Sequence, residues 1–279
     1  MTPSPSAAQL AALLPSVVEI AHRAGEAIMA IYAEPDPPVK YKKDDSPLTQ
    51  ADLASHHIIC DGLAALSPRI PVLSEESAEI PYEVRRAWPS FWLVDPLDGT
   101  KAFLRRDGEF TVNIALMRNG SPVLGVVYAP AIGKTYFAAE GAGASKAETG
   151  AVTSIRAAAI RNPSPRVIVS RSHGGCLEEM RVDLEKIGVD ANACQFVSMS
   201  SSLKFCLVAE GNADIYLRKG PTMEWDTAAA QCVLEMAGGS ISDLEGNRLI
   251  YNKPVLLNPG FLASATQLVP SADRIRLRK

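Results

Sequence analysis

Long apolar runs and an excess of positive charge are both missing from this sequence. None of its 279 residues lies in an apolar stretch long enough to cross a membrane. The first residues, MTPSPSAAQLAALLP, lack the basic start and apolar core of a signal peptide. The formal net charge of −3 argues against a surface that coats nucleic acid. These absences predict a soluble, cytoplasmic protein with neither an integral membrane segment nor a nucleic-acid partner.

Paired cysteine motifs and a dinucleotide-binding glycine motif are also absent. The five cysteines form no C-x-x-C pair and no zinc spacing with histidine, so we expect buried, reduced thiols. No G-x-G-x-x-G follows a predicted strand, and GAGAS has neither the required spacing nor the required context. A zinc site and a dinucleotide-binding oxidoreductase are therefore disfavoured.

Hydrophobic periodicity predicts two regions along the chain. Apolar residues at helical spacing predict a long helix from Ala7 to Tyr32, and Thr49 is the expected N-cap of a second helix. Two β-rich runs joined by Asn119-Gly120 predict a hairpin. Beyond Arg161, strand and helix patterns alternate, which is typical of an α/β layer. We therefore predict an N-terminal α+β domain over residues 1–160 and a smaller α/β domain over residues 161–279.

The stretch FWLVDPLDGTKAF places two aspartates, Asp95 and Asp98, at the end of an apolar strand. Asp followed by Pro, with Gly nearby, is also typical of a β-turn, and for this stretch alone the two interpretations are equally good. The strand is apolar enough to be internal, and Pro96 stiffens the loop, so both carboxylates and the Leu97 carbonyl can face one point. Oxygen ligands of this kind suit Mg²⁺.

Further acids have ordinary explanations when each is taken singly. Glu75, in VLSEES, is typical of a solvated surface, and Asp226, in PTMEWDTAAA, would serve as the N-cap of an apolar helix. Asp52, in SPLTQAD, is typical of a solvated acid in the first turn of a helix. The combination of these acids in this order is far more specific than any one of them.

The chain resembles the magnesium-dependent, lithium-sensitive phosphatase superfamily that includes inositol monophosphatase and fructose-1,6-bisphosphatase. The resemblance rests on SEES, DPLDGT and WDTAA, in that order. Within the superfamily the chain is most similar to the bacterial 3′(2′),5′-bisphosphate nucleotidases, through SPLTQAD, GEFTVNIAL, GVVYAP, VSRSH, SSLKFCLVAEG and LNPGF. The resemblance implies a mixed α+β and α/β fold, layered α-β-α-β-α, and a monomer or a homodimer.

The same resemblance implies the metal site and its chemistry. It places two or three Mg²⁺ ions per site, held by Glu75, Asp95, the Leu97 carbonyl, Asp98 and Asp226. It also implies that Thr100, with Glu75, orients and deprotonates the attacking water, and that Asp52 supports Thr100. One metal would activate the water and another would stabilise the leaving oxygen, in a direct in-line attack without a phosphoenzyme.

Substrate contacts are expected on both sides of this site. Lys101 and Lys204 offer point charges for a second phosphate, and serine hydroxyls with free N–H groups at a helix start would add a phosphate cradle. A solvated lysine and a structural histidine are the ordinary alternatives for Lys101 and His173. The complete expected set is Leu97, Asp98, Gly99, Thr100, Lys101, Ser172, His173, Ser201, Ser202, Lys204, Arg218 and Asp226.

The resemblance thus implies a Mg²⁺-dependent phosphatase for a small nucleotide. It would convert adenosine 3′,5′-bisphosphate to AMP and phosphate and would also accept 3′-phosphoadenylyl sulfate. An inositol or sugar phosphate phosphatase on the same fold is the alternative enzyme. A nucleotide-binding protein without catalysis would require a broken metal ligand or a missing base, and the sequence has neither.

Overall fold

The computed structural model describes residues 5–35, 39–41, 47–66, 70–77, 79–160, 163–171, 177–266, 268–269 and 276–277. Its helices are α1 (Ala7–Tyr32), α2 (Gln50–Leu66), α3 (Tyr82–Arg85), α4 (Thr100–Leu104), α5 (Leu177–Lys186), α6 (Leu203–Ala209) and α7 (Glu224–Met236), with a 3₁₀ turn at Pro130–Ile132. Helix α1 has the predicted bounds. It begins with a capping box, in which the Ser6 N–H donates to Gln9 Oε1 at 2.8 Å and the Gln9 N–H donates to Ser6 Oγ.

The structure bears on two expectations, the one about membrane-spanning helices and the one about the cysteines. In the part of the chain that it describes, no helix combines the length and the apolar character needed to cross a bilayer. The described cysteines, Cys60, Cys194, Cys206 and Cys232, are free thiols, and the last two of these are buried.

The larger sheet has the strand order β3-β4-β5-β6-β7-β8-β9. Strands β3 and β4 are parallel, and the remaining neighbours are antiparallel. The predicted hairpin is confirmed as β5–β6, since Asn119 and Gly120 have φ of 50° and 73°, as a two-residue type I′ turn requires. The first nine strands of the chain are β1 (Val39–Tyr41), β2 (Pro47–Thr49), β3 (Val72–Ser74), β4 (Ser90–Asp98), β5 (Thr111–Arg118), β6 (Ser121–Ala129), β7 (Lys134–Ala139), β8 (Gly143–Glu148) and β9 (Ala151–Ser154).

The smaller sheet has the order β11-β10-β12-β16-β14, with β10 parallel to β11 and β12. Short pairs form between β1 and β2, β13 and β15, and β17 and β18. The strands of the second half are β10 (Arg166–Ser170), β11 (Gln195–Met199), β12 (Ile215–Arg218), β13 (Thr222–Met223), β14 (Ser240–Asp243), β15 (Leu257–Asn258), β16 (Phe261–Ser264), β17 (Leu268–Val269) and β18 (Arg276–Leu277).

The sheets and helices stack in five layers, which confirms the α-β-α-β-α sandwich. Helices α1 and α2 cover one face of the larger sheet, through a core that includes Ile28, Trp92 and Ile114. Helices α6 and α7 fill the space between the two sheets, and α5 covers the outer face of the smaller sheet through Leu184. Because α7 packs directly on the larger sheet, the halves share one core. The division at residue 160 stays a prediction.

At Gly125 on β6, the backbone of α7 lies directly against the larger sheet. A Cβ built there would lie 2.3 Å from the Ala229 carbonyl oxygen and 2.8 Å from Cys232 Cβ. We expect Gly125→Ala to lower the free energy of unfolding by about 3 kcal/mol, because backbone must move to admit one methyl group. Urea denaturation would measure this loss.

Gly133→Ala is the control for this prediction. Gly133, unlike Gly125, has a positive φ, 64°, and a Cβ there would meet no atom within 4 Å. Only the left-handed backbone should penalise alanine, by about 1 kcal/mol. Equal losses in the two variants would contradict steric packing at Gly125.

Candidate functional site

A β-bulge at the end of β4 brings two carboxylates to one side of the strand. Asp95 pairs with Asn113 and Asp98 with Thr111, so β4 has one residue more than β5 across this step. Side chains three apart on a regular strand point to opposite faces, and the extra residue reverses that relation. Asp95 Oδ1 also accepts the Leu97 N–H at 3.0 Å, which fixes the turn. The sequence interpretation of both acids as facing one point therefore has a physical basis in the strand pairing.

Three carboxylates from three elements meet beside this bulge. Ligand oxygens of Glu75, Asp95 and Asp226 all lie within 4.8 Å of one another. Glu75 arrives because β3 runs parallel to β4, so both strands end at the same edge, and its N–H donates to the Val94 carbonyl at 3.1 Å. All three are acids that the sequence analysis assigned to the expected metal site.

Asp226 reaches the cluster from the first turn of α7. Its expected position as the N-cap is wrong, since the N-cap is Met223. Asp226 is the third residue of the helix, and its Oδ2 accepts the Met223 N–H at 2.8 Å. The acid thus stabilises the helix start with one oxygen, as an acid in a capping box does.

The cluster is electrostatically unfavourable without a cation. Burial, followed by the charges of Glu75 and Asp98, raises the pKa of Asp95 well above its usual range. Burial, followed by the charges of Asp98 and Glu75, does the same for the pKa of Asp226. The pKa of Asp98 is also raised, mainly by burial, although Lys204 and the Ser202 N–H oppose the shift. A hard divalent cation would neutralise this oxygen-rich set, so the residues fit one.

Helix α2 makes hydrogen bonds to the DPLDGT loop. Asp52 is only 3% exposed, so its interpretation as a solvated helix-start acid is wrong. Its Oδ2 accepts both the Thr49 N–H at 2.7 Å and the Thr49 hydroxyl at 2.6 Å, and the Thr100 hydroxyl lies 3.4 Å from its Oδ1. One turn later, the Ser55 hydroxyl donates to the Pro96 carbonyl at 2.7 Å. Asp52 therefore links Thr100 to α2.

A cavity of about 570 Å³ opens beside the carboxylates. It brings together these predicted residues: Glu75, Asp98, Gly99, Thr100, Lys101, Ser201, Lys204, Arg218 and Asp226. Leu97 and Ser202 are buried and are not among the described residues that line it. Ser172 and His173 lie outside the described residues. Most of the predicted set therefore shares one concave surface.

Two buried cations face the same cavity. Lys204 is 7% exposed, and burial lowers its pKa to about 8 although the charge of Asp98 opposes that shift. Arg218 is held by backbone carbonyls, with Nε donating to Gly220 at 3.2 Å and Nη2 to Pro221 at 3.3 Å. Lys101, by contrast, is exposed at the rim. The cavity thus holds carboxylates together with two buried cations, Lys204 and Arg218, which form its cationic wall.

An aromatic and apolar wall of the cavity was missed at the sequence level. It consists of Tyr216, Trp225, Leu257 and Phe261. Trp225 directly precedes Asp226 in the first turn of α7, but consecutive helical residues point in different directions, so this position alone did not mark it. Leu257 carries no signal either, because β15 is only two residues long and is placed by pairing with β13.

The start of α6 differs from the expected phosphate cradle. The N–H groups there are already engaged: Ser200 donates to Glu109 Oε2 at 2.8 Å, Ser202 to Asp98 Oδ2 at 2.6 Å, and Leu203 to Ser201 Oγ at 3.4 Å. The expectation that these N–H groups are free is therefore wrong. The Ser202 N–H holds the segment to Asp98 in the DPLDGT loop, and the Ser200 N–H holds it to Glu109.

Gly99 allows the DPLDGT loop to lie close to the backbone of Glu109. Its φ is +93°, a conformation that favours glycine, and a Cβ there would lie 3.2 Å from the Glu109 carbonyl oxygen. The backbone conformation therefore explains why glycine occupies this position of DPLDGT, in addition to its place in the cavity lining.

Comparison with known proteins gives consistent matches over nearly the whole chain. The family model described as the inositol monophosphatase family matches residues 9–275. The chain is 49% identical over 252 residues to the 3′(2′),5′-bisphosphate nucleotidase CysQ of Salmonella typhimurium, covering 89% of this chain and 98% of that one. It is 48% identical over 254 residues to CysQ of Escherichia coli K12, covering 90% and 99%. The crystal structure of CysQ from Bacteroides thetaiotaomicron is similar with a TM-score of 0.77 and 40% identity, covering 90% of this chain and 96% of that one.

Proposed function

The chain belongs to the inositol monophosphatase family, and from this premise we propose that it is a magnesium-dependent 3′(2′),5′-bisphosphate nucleotidase. It would hydrolyse the 3′-phosphate of adenosine 3′,5′-bisphosphate to give AMP and phosphate, with 3′-phosphoadenylyl sulfate as a second substrate. The observation that carries the proposal is that one cavity is lined by three acids, Glu75, Asp98 and Asp226, together with buried Lys204 and Arg218. A monophosphate needs only the cation that the acidic cluster would hold. A bisphosphate also needs positive charge for its second phosphate.

The metal would be held by the oxygens that converge at the bulge. Glu75, Asp95 and Asp226 form the measured cluster, and Asp98 with the Leu97 carbonyl would complete the set for two or three ions. When bound, Mg²⁺ supplies charge neutralisation for the phosphoryl group and a lowered pKa for the attacking water. The protein's part is to present these oxygens from β3, β4 and α7 before substrate arrives.

Thr100, Asp52 and Glu75 would manage the proton of the attacking water. The Thr100 hydroxyl donates toward Asp52 Oδ1 and the Leu97 carbonyl, each at 3.4 Å, which leaves its lone pairs to accept a water O–H. Glu75 lines the same cavity, and its carboxylate would take the proton. Water would then attack in line, without a phosphoenzyme, and the 3′-oxygen would leave and take up a proton from solvent to give the 3′-hydroxyl of AMP.

The rest of the nucleotide would lie along the cationic and aromatic walls. Lys204 and Arg218 would receive the non-scissile phosphate, with Lys101 at the rim and the Ser201 hydroxyl beside them. Trp225 offers an apolar surface for the ribose or the base. Ser202 would act through Asp98, because its N–H is already bound to that carboxylate.

Phosphate release from three substrates tests the proposal. Adenosine 3′,5′-bisphosphate, inositol 1-phosphate and fructose 1,6-bisphosphate would be compared with Mg²⁺ and again with EDTA. We expect fast, EDTA-sensitive release from the nucleotide. Release mainly from inositol phosphate would keep the metal chemistry and overturn the substrate assignment, and no release from any would favour a non-catalytic nucleotide-binding protein.

A further inference from the structure

Glu109 fastens three segments that surround the cavity, although it is not among the described residues that line it. It lies between α4 and β5, and its carboxylate, on a side chain that is mostly buried, uses both oxygens. Oε2 accepts the Ser200 N–H at 2.8 Å, and Oε1 pairs with Arg171 Nη2 at 3.0 Å. One carboxylate therefore joins the loop before β5 to the ends of β10 and β11.

The partners of Glu109 lie at one edge of the smaller sheet. Strands β10 and β11 are parallel, so their C-terminal ends are neighbours. The Arg171 N–H donates to the Met199 carbonyl at 3.4 Å, and its guanidinium reaches the Ser198 hydroxyl at 3.4 Å. Ser170, one residue earlier, lines the cavity. Arg171 thus ties the two strand ends together, and Glu109 ties Arg171 to the larger sheet.

Ser201 shows why this anchoring matters. Its φ is +52°, which for a residue with a Cβ costs about 1 kcal/mol or more. The N–H groups on either side of it are both held by carboxylates, Ser200 by Glu109 and Ser202 by Asp98. Ser201 and Lys204 line the cavity, so the position of the cationic wall relative to the acidic cluster depends on both carboxylates.

We propose that Glu109 is a positioning residue that sets the cationic wall at the distance required by a substrate with two anionic groups. This inference rests on the nucleotidase function proposed above. The contacts of Glu109 run to the nucleotide side, whereas Glu75 and Asp226 in the cluster are held by Val94 and Met223. Loss of the Glu109 charge should therefore weaken nucleotide binding and spare the hydrolysis of a small monoester.

Steady-state kinetics of Glu109→Gln in the full chain with saturating Mg²⁺ tests this. Glutamine keeps an oxygen for Ser200 and removes the charge that faces Arg171. We expect the KM for adenosine 3′,5′-bisphosphate to rise about tenfold while kcat changes less than about twofold. Both constants for p-nitrophenyl phosphate, which has one phosphate and no nucleoside, should stay unchanged. Arg171→Gln should give the same KM shift, and the double variant should add little.

Glu235→Gln is a closely matched control. The Arg248–Glu235 pair has side-chain exposures of 44% and 16%, against 43% and 14% for Arg171–Glu109, and neither of its residues lines the cavity. An ordinary surface pair predicts a small loss of stability and no KM shift, as we expect for Glu235→Gln. An unchanged nucleotide KM in Glu109→Gln, or an equal loss on both substrates, would overturn the inference. A wild-type enzyme inactive on the nucleotide would instead overturn the proposed function and this inference with it.

Discussion

Replacing Asp95 by asparagine is expected to lower turnover by about 10³-fold or more, while making the metal-free protein more stable. Asparagine has nearly the same volume and keeps an oxygen that can accept the Leu97 N–H. It removes a buried negative charge that lies within 4.8 Å of Glu75 and Asp226 oxygens. On the proposed function, the variant would therefore lose a ligand for Mg²⁺ and also lose the repulsion that Mg²⁺ would relieve.

The pH dependence of the metal-free protein follows from the raised pKa of Asp95. Burial and the charges of Glu75 and Asp98 place it well above the ordinary value of 3.8. The folded protein then binds this proton more tightly than the unfolded chain, so the free energy of unfolding falls as pH rises from 3.8 through the raised value. In Asp95→Asn this loss is absent. Urea denaturation at pH 7 in EDTA should show higher stability than in the wild type, and added Mg²⁺ should stabilise the variant less.

Asp183→Asn is the control, with the opposite sign expected for stability. Burial alone would raise the pKa of Asp183, but Lys219 and Lys186 outweigh burial and lower it. Its loss should therefore reduce stability at pH 7 and leave turnover unchanged, because Asp183 lies on α5, outside the cavity lining. Near-normal turnover in Asp95→Asn, or reduced metal-free stability, would contradict the assignment of Asp95 as a metal ligand.

Local signals in the sequence predicted the elements well. Helix α1 follows from apolar spacing, and the β5–β6 hairpin follows from Asn119-Gly120. These features depend on residues a few positions apart. The resemblance carried by SEES, DPLDGT and WDTAA implied that Glu75, Asp95 and Asp226 belong to one site, and their oxygens do meet.

Features set by long-range pairing could not be predicted in the same way. The bulge that turns Asp95 and Asp98 to one side exists only because β4 pairs with β5. Asp52 is buried because α2 packs behind β4, although its local pattern is that of a solvated helix start. The N–H groups before α6 are occupied because Asp98 and Glu109, about a hundred positions earlier in the chain, reach them.

Lys204→Met is expected to lower kcat/KM for adenosine 3′,5′-bisphosphate by about 10²-fold, because a charged contact to phosphate in a buried site is lost. Methionine retains an unbranched apolar stem of similar length, and it loses the contact of the ammonium group with the Tyr216 ring, whose centroid lies 5.5 Å from Nζ. The comparison is with inositol 1-phosphate, which has no second phosphate. A lysine that serves the non-scissile phosphate should matter much less for that substrate. Lys101→Met, at the exposed rim, is the control and should lower kcat/KM only a few-fold.

The stability of the same variant separates two roles of Lys204. Burial lowers the pKa of Lys204 to about 8. At pH 7 the folded protein therefore carries a partly desolvated positive charge, which lowers its stability. This penalty is full below pH 8 and disappears as pH rises toward 10.5, because the folded protein releases the proton before the unfolded chain does. Lys204→Met should then be at least as stable as the wild type at pH 7 in EDTA. If both substrates lose activity equally and stability falls, Lys204 acts by holding Asp98 in place rather than by binding the second phosphate.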